Sequence, residues 1–402
     1  MLKRTLSALS ILIVSLAPAA SAQTRAARGR NSRQAASGSV SLTRYVNPFV
    51  GTANSPLPDY LGGNASGNTF PGATLPFGMV QFSPDTERGF GPDYRGSYVY
   101  KDAGLRGFSL THLSGPGCPV FGDVPFMPVA GRVEKSPAAS PADYVAKFSH
   151  DGETASPGFY EVALESGVRV SLTATTRTGF AVFDFKKGSP ATLLVNVGRN
   201  ATGVQESEWR AEGDRRMSGM VASGGFCGTR NRYVLYFAAE FDRPFDSFGS
   251  WDGERVLAGV SPARGGRQTG GFVTFDTDSG ATVRMKVGVS YVSVENARLN
   301  LGAENAGWNF EEVRARADAR WGDALGRMTV RGGTDAERRV FYTALYHTLL
   351  HPTTFGDANG EYLGFDDRVH RSPGHTQYTN FSGWDIYRSE SPLLAWLFPE
   401  EA

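Results

Sequence analysis

Residues 282–328, TVRMKVGVSYVSVENARLNLGAENAGWNFEEVRARADARWGDALGRM, change their apolar period partway along. At the start Val283, Met285, Val287 and Val289 alternate with Arg284, Lys286, Gly288 and Ser290, the period-two pattern of a half-buried strand. After Asn296 the period lengthens, and Phe310, Val313, Ala317, Trp321, Ala324 and Met328 fall on one face at about 3.6 residues per turn. Asn309 and Glu312 stand as a capping box, so the spacing predicts a helix near 309–327. A β region gives way here to a helical one.

Upstream the strand signal repeats. Val168, Val170 and Leu172 alternate with Arg169, Ser171 and Thr173, and further candidates run from Gly179 to Phe185, Ala191 to Val197, Tyr233 to Phe241 and Phe272 to Asp276, with Gly, Asp, Asn and Pro between them. Such a series predicts an antiparallel β-sandwich over roughly residues 42–290. Downstream, Thr334 and Glu337 form a second box, opening a helix through Val340, Phe341, Ala344, Leu345 and Thr348 that Pro352 ends. A third helix starts near Trp384. The organisation expected is then a β domain at 42–290, a helical linker at 291–333 and a helical domain from 334 to 402, the last too short to close a core of its own.

Composition fits this picture: 402 residues with 49 Gly and 26 Phe, 15 Tyr and 6 Trp exclude a disordered tail, a collagen or a disulfide scaffold. The formal charge of +1 hides an asymmetry, since the first 41 residues carry six bases and no acids and leave −5 for the remainder, which argues against a nucleic-acid partner. Met1 to Ala22 reads as an export signal: Lys3 and Arg4, an apolar run from Ser7 to Leu16, then Ala20-Ser21-Ala22 as a cleavage site. That run is too short for a membrane anchor and no Cys follows it, so an exported protein of the bacterial periplasm or extracellular space is expected, with residues 23–41 as a flexible tether. Cys118 and Cys227 could pair in that compartment, closing a loop of about a hundred residues, or remain two separate buried thiols.

The densest cluster of Gly, Pro, Asn and aromatics lies between Tyr45 and Val129, in YVNPFVGT, GNTFPGATLPFGMVQFSPDT, GSYVY and GFSLTHLSGPGCPVFGDVPFMPV. With FSGWDIYRSESPLLAWLFPE at residues 381–400, these segments resemble glycoside hydrolase family 92, the calcium-dependent, exo-acting, inverting α-mannosidases of bacteria, over nearly all of residues 45–402. The resemblance implies an N-terminal β-sandwich packed on an (α/α) toroid, incomplete in this chain, with the active site between them. It implies terminal α-mannosides of glycans as substrate and Ca2+ as cofactor, most of whose ligands are expected outside these residues.

The site residues follow from the same segments. Gly-rich loops let backbone approach a sugar, while Asn, Asp, His and Trp offer the hydrogen bonds and flat faces that a pyranose takes. Asn68, in a Gly67-to-Gly72 run that could equally be a tight turn, is a candidate contact, as are the backbone at Gly115 and Gly117. His112 is either a core histidine or part of the cleft wall. By resemblance, Trp384 and Asp385 contribute to the pocket for the terminal mannose, Asp385 accepting from sugar hydroxyls rather than capping a helix; Arg388, one turn on, either orients the carboxylate or sits on the solvated helix face. Asp357, Asn359 and Glu361 mimic a calcium loop, but Arg368 stands at the twelfth position, so a turn is expected. Asp366 and Asp367, as strand neighbours, would point to opposite faces and make a poor acid–base pair.

No residue is assigned as catalytic. An inverting glycosidase needs an acid and a base about 6.5–9.5 Å apart, and by resemblance both lie beyond Ala402, so the 402 residues alone are expected to be inactive and to leave Leu393, Leu394, Trp396 and Leu397 without partners. Residues 89–96, GFGPDYRG, lack a Trp that many members carry on the aglycone side, which leaves linkage preference open, as is oligomeric state. The alternative is a catalytically incomplete, carbohydrate-binding β-sandwich protein.

Overall fold

A computed structural model describes residues 41–53, 67–89 and 96–402. The export signal at 1–22 and nearly all of the expected tether lie outside the described residues. Two antiparallel ladders make up the β domain. The first runs Ala263–Gly265, Glu206–Glu212, Arg216–Gly224, Arg232–Phe241, Thr282–Ser290, Thr178–Asp184, Arg169–Ala174, Phe159–Leu164 and Ala146–Ser156. The second runs Arg255–Ala258, Ser247–Asp252, Thr269–Phe275, Ala191–Val195, Phe126–Ala130, Gly104–Ser109, Gln81–Thr86 and Ala73–Thr74. Ala146–Ser156 pairs with both and joins them.

One apolar core lies between the ladders. Phe126 of the second meets Phe237 of the first edge-on at 6.4 Å between ring centres, and Phe108 meets Tyr160 at the same distance. The alternation in 282–290 is seen directly: Val283, Met285, Val287 and Val289 are all buried in this core. Lys286 faces the other way yet is also buried, because helices cover that face. Its ammonium donates to the carbonyls of Asn305 and Ala306 at 2.9 and 3.0 Å and sits 4.2 Å from the centre of the Trp308 ring.

Five helices follow: α1 (Val294–Glu304), α2 (Phe310–Gly326), α3 (Asp335–Thr348), α4 (Gly383–Ile386) and α5 (Glu390–Leu397). The periodicity identifies α2 and α3 and overlooks α1. That helix buries only Ala297 and Leu301 with two asparagines, Asn296 and Asn300, so it shows no apolar stripe. It lies so close on the sheet that a Cβ at Gly288 would stand 2.2 Å from the Ala297 carbonyl oxygen, which makes glycine a steric requirement there. Both boxes cap their helices, though only Thr334 and Glu337 form the reciprocal pair; Glu312 instead accepts from Arg316.

The helices share their core with the β domain. Tyr45, Val46, Phe70, Leu75 and Phe77 pack among Trp321, Tyr342, Leu345, Tyr346, Leu394 and Leu397. The expectation of unpartnered apolar residues in α5 therefore holds for Trp396, which is 73% exposed, and fails for Leu394 and Leu397, which are buried against this cluster, and for Leu393, which packs beside it. Asp366 and Asp367 are corrected as well: they sit in the turn between the short strands Glu361–Leu363 and Val369–Arg371, with Asp366 bonded to His370. Cys118 and Cys227 form a disulfide rather than two separate thiols.

The turn at 357–361 is fastened to the seam. Asp357 is buried and its carboxylate accepts from Ser290 Oγ, Asn296 Nδ2 and Asn300 Nδ2 at 2.7, 2.8 and 2.6 Å, tying the last long strand, α1 and the turn together. Burial pushes its carboxyl up and these donors oppose the shift. Asp357→Ala strands three buried donors at once, so denaturant unfolding should show a loss of about 2–4 kcal/mol. Asp366→Ala, on the exposed hairpin, should leave the midpoint unchanged. Equal effects of the two substitutions would remove Asp357 from this role.

Candidate functional site

His112 is held inside the β domain, not in a cleft. Its side chain is fully buried; Nδ1–H donates to the Gln81 carbonyl at 2.9 Å, and Nε2 lies 3.0 Å from Asp85 Oδ1 and 3.2 Å from Ser109 Oγ. Both ring nitrogens are thus engaged by protein, and Phe70 packs against the ring at 5.3 Å. A contact of this imidazole with a sugar is replaced by a supporting role: the histidine compensates the buried Asp85 carboxylate, whose Oδ2 has no partner among the described residues. Burial pushes the Asp85 carboxyl up, against the hydrogen bonds from His112 and Ser109.

The loop that follows does reach the surface. Gly115, with φ of +78°, and Gly117 are exposed; among the described residues a Cβ at Gly117 would meet nothing within 4 Å, and one at Gly115 only the Gly67 carbonyl oxygen at 3.9 Å. No described side chain crowds this stretch of backbone. Asn68 braces this turn from below, being nearly buried: its Nδ2 donates to the Pro116 carbonyl at 3.2 Å and its own carbonyl accepts the Gly115 N–H at 3.0 Å. From the helical side, the Ser114 N–H donates to His351 Nε2 at 3.2 Å. His351 was not singled out from the sequence; its place directly after an apolar helix and before Pro352 was the available signal.

Trp384, Asp385 and Arg388 are exposed, Trp384 to 85%. The Asp385 carboxylate accepts from the Ser382 hydroxyl and caps no backbone N–H of α4. Arg388 is exposed and lies over the Tyr387 ring, 5.7 Å from its centre, rather than against the Asp385 carboxylate, which matches the solvated of its two readings and not the orienting one. The two halves of the site are linked through the chain. Ser114 meets His351, the Asn380 amide bonds Thr353 two residues on at 2.7 Å, and Asp385 follows five residues later. Glu390 at the start of α5 has a buried carboxylate oxygen without a partner among the described residues, and burial pushes its carboxyl up.

Two surface clefts, of 320 and 400 Å³, lie elsewhere, one between Arg177 and the 356–377 segment and the other on the outer sheet face beside Trp308. Neither contains any of the residues named for sugar contact. No group of three or more His, Cys, Asp or Glu side chains arranged to hold a metal occurs among the described residues. The Asp357–Glu361 segment is a turn whose buried carboxylate is taken up by Ser290 and two asparagines. These residues do not fit a calcium site.

Residues 45–290 match the glycosyl hydrolase family 92 N-terminal domain and residues 296–402 the family's catalytic domain. Among solved structures, the chain is similar to the family GH92 α-mannosidase BT3965 of Bacteroides thetaiotaomicron, with a TM-score of 0.79 and 33% identity over 88% of this chain and 47% of that one. That protein has also been seen in complex with mannoimidazole. The inverting mannosidase BT2199 of the same species gives a TM-score of 0.75 at 29% identity, covering 89% of this chain and 46% of that one. An uncharacterized secreted glycosidase of Arthroderma benhamiae is 27% identical over 82% of this chain and 44% of its own. The chain thus spans about half the length of these relatives.

Two outcomes are expected from this geometry. His112→Ala would strip the buried Asp85 carboxyl of its imidazole partner and leave it the Ser109 hydroxyl, costing about 1–3 kcal/mol in denaturant unfolding; an equally stable variant with a raised KM would put the ring on the sugar instead. His351 and His347 are both lowered by burial to about 4 from the ordinary 6.5. The folded chain then binds fewer protons than the unfolded chain in this window, so their contribution is full above pH 6.5 and is lost as pH falls toward 4. Unfolding midpoints measured from pH 7 down to 4.5 should fall less steeply in a His347→Gln/His351→Gln variant; parallel profiles would exclude the effect.

Proposed function

The chain belongs to glycosyl hydrolase family 92, and from that premise we propose that its full-length gene product is an exo-acting α-mannosidase that removes terminal α-mannose from glycans by calcium-assisted, inverting hydrolysis. In this reading the β domain is a sandwich of residues 42–290, residues 291–333 link it to the helices, and residues 334–402 begin an (α/α) toroid. Export through the first 22 residues belongs to the same proposal; among the described residues no helix is long and apolar enough to cross a membrane.

The observation that supports the reading is an exposed Trp384-Asp385 step and an exposed glycine turn at 115–117 on segments that share hydrogen-bonded neighbours, Ser114 with His351 and Thr353 with Asn380. Among the described residues the Asp385 carboxylate has the Ser382 hydroxyl as its only partner, so sugar hydroxyls can donate to it. Trp384 offers a flat face for pyranose C–H groups, and Gly115 and Gly117 leave their backbone accessible. Asn68 supports the turn from beneath. Arg388 adds a cation at the rim. The acid, the base and the calcium ligands of this reading lie outside these residues. The match of residues 296–402 to the catalytic domain weighs against a purely carbohydrate-binding protein.

Release of mannose from α-linked manno-oligosaccharides by the full-length protein, with and without a calcium chelator, tests the reading. Asp385→Asn should lower kcat/KM on an aryl α-mannoside about ten- to hundredfold, because a charge-assisted acceptor worth about 1.5–3 kcal/mol is lost. The unfolding midpoint should not move. Unchanged kcat/KM would take Asp385 out of the sugar pocket.

A further inference from the structure

We propose that the Cys118–Cys227 disulfide is a positioning element of the sugar cleft: it holds the outgoing limb of the Gly115–Gly117 turn against a braced hairpin of the β domain. The proposal rests on the reading of that turn as a sugar contact. The turn's incoming limb is fastened non-covalently, through the Gly115 N–H on Asn68, the Asn68 amide on Pro116 and Ser114 on His351. From Gly117 to Val120 no hydrogen bond fastens the chain among the described residues; fixed pairing resumes where the Ala201 N–H donates to Phe121 and the Gly122 N–H to Thr111. The disulfide falls inside this gap, one residue after Gly117 and with the two Cα atoms 5.2 Å apart.

Its other end is well suited to act as an anchor. Cys227 sits in the hairpin between the strands Arg216–Gly224 and Arg232–Phe241, the pair in register along its whole length. The hairpin braces itself: the Phe226 N–H and the Thr229 hydroxyl both donate to Asn231 Oδ1 at 2.9 and 2.7 Å, and the Gly225 N–H donates to the Asn231 carbonyl at 3.1 Å. Cys227 is solvent-exposed, so a thiol can reach the bond without unfolding the ladders. A small dithiol supplies two electrons and two protons: the Sγ–Sγ bond breaks, two cysteine thiols form, and the reductant closes to its own disulfide. The turn then keeps its incoming ties and loses its outgoing one.

The test uses the full-length protein in three forms: oxidised, reduced with dithiothreitol and alkylated, and the Cys118→Ser/Cys227→Ser variant. Hydrogen exchange of the amides at 114–118 should quicken about tenfold on reduction, while the ladders at 216–241 and 282–290 keep their protection. On an aryl α-mannoside kcat/KM should fall about tenfold, with KM rising more than kcat falls. Unchanged exchange at 114–118 after complete reduction overturns the proposal, as does equal acceleration in the ladders, which would make the bond a staple of the whole fold. A bond that dithiothreitol opens only on unfolding overturns it too. Should the double variant not fold, the reduced protein decides. If the oxidised protein releases no mannose, the proposed function fails on its own, and the exchange experiment still judges the clamp.

Discussion

Phe77 is where the molecule is held together. The chain between Leu75 and Met79 leaves the β domain with φ of +57° at Phe77, puts that ring edge-on to Phe398 at 5.2 Å, and passes the Phe77 N–H to the Leu349 carbonyl and the Phe77 carbonyl to Thr354. A non-glycine residue in the left-handed region costs energy unless its surroundings fix it, and here both neighbours in space are helical-segment residues. Helices α2, α3 and α5 do not enclose an apolar interior unaided; Tyr45, Phe70, Leu75 and Phe77 complete it. The consequence is that residues 41–402 form one compact unit, and that whatever α3 and α5 carry is referenced directly to the β domain.

Buried polar groups then set the register of that seam. Arg177 donates to Glu304 and to the Gly356 carbonyl, Asp357 gathers Ser290, Asn296 and Asn300, and the Trp321 indole donates to the Thr74 carbonyl. Apolar packing alone tolerates sliding, because one methyl contact resembles another. A buried donor displaced by one residue loses its acceptor and keeps its desolvation cost, so these bonds discriminate against shifted arrangements. Each joins segments far apart in sequence, and those to Gly356 and Asp357 lie within a few residues of Thr353, whose hydroxyl meets Asn380.

Much of this was legible in the sequence and some was not, for identifiable reasons. Val283 to Val289 and Phe310 to Ala324 announce their faces because one side of each is covered by a continuous core. Helix α1 gives no such signal, since it meets the sheet through Ala297, Leu301 and two asparagines. The residues around Trp384 stand exposed as a sugar contact requires, whereas His112 does not, although both are aromatic residues amid Gly, Ser and Leu. What separates them is the buried Asp85, twenty-seven residues away in sequence and 3.0 Å away in space, and no local pattern carries that information. The disulfide was undecidable for the same reason: two cysteines 109 residues apart reveal their pairing only once the hairpin at 225–231 is placed beside the glycine turn.

A division of labour follows for the proposed cleft. Groups that would bind sugar must have unused hydrogen-bonding capacity, and Asp385, the Gly115 carbonyl and the backbone of Gly117 are the least committed of the residues named. Groups that are fully engaged, Asn68 and His112 among them, cannot offer the same atoms to a ligand without losing a buried bond. They act by stiffness instead. The segment that carries Asp385 is tied to the β domain through the Thr353–Asn380 bond on one side and the packing of Leu394, Leu397 and Phe398 on Phe77 on the other, while the glycine turn hangs from Asn68 and Cys227, so both groups are held by bonds that need not touch the sugar.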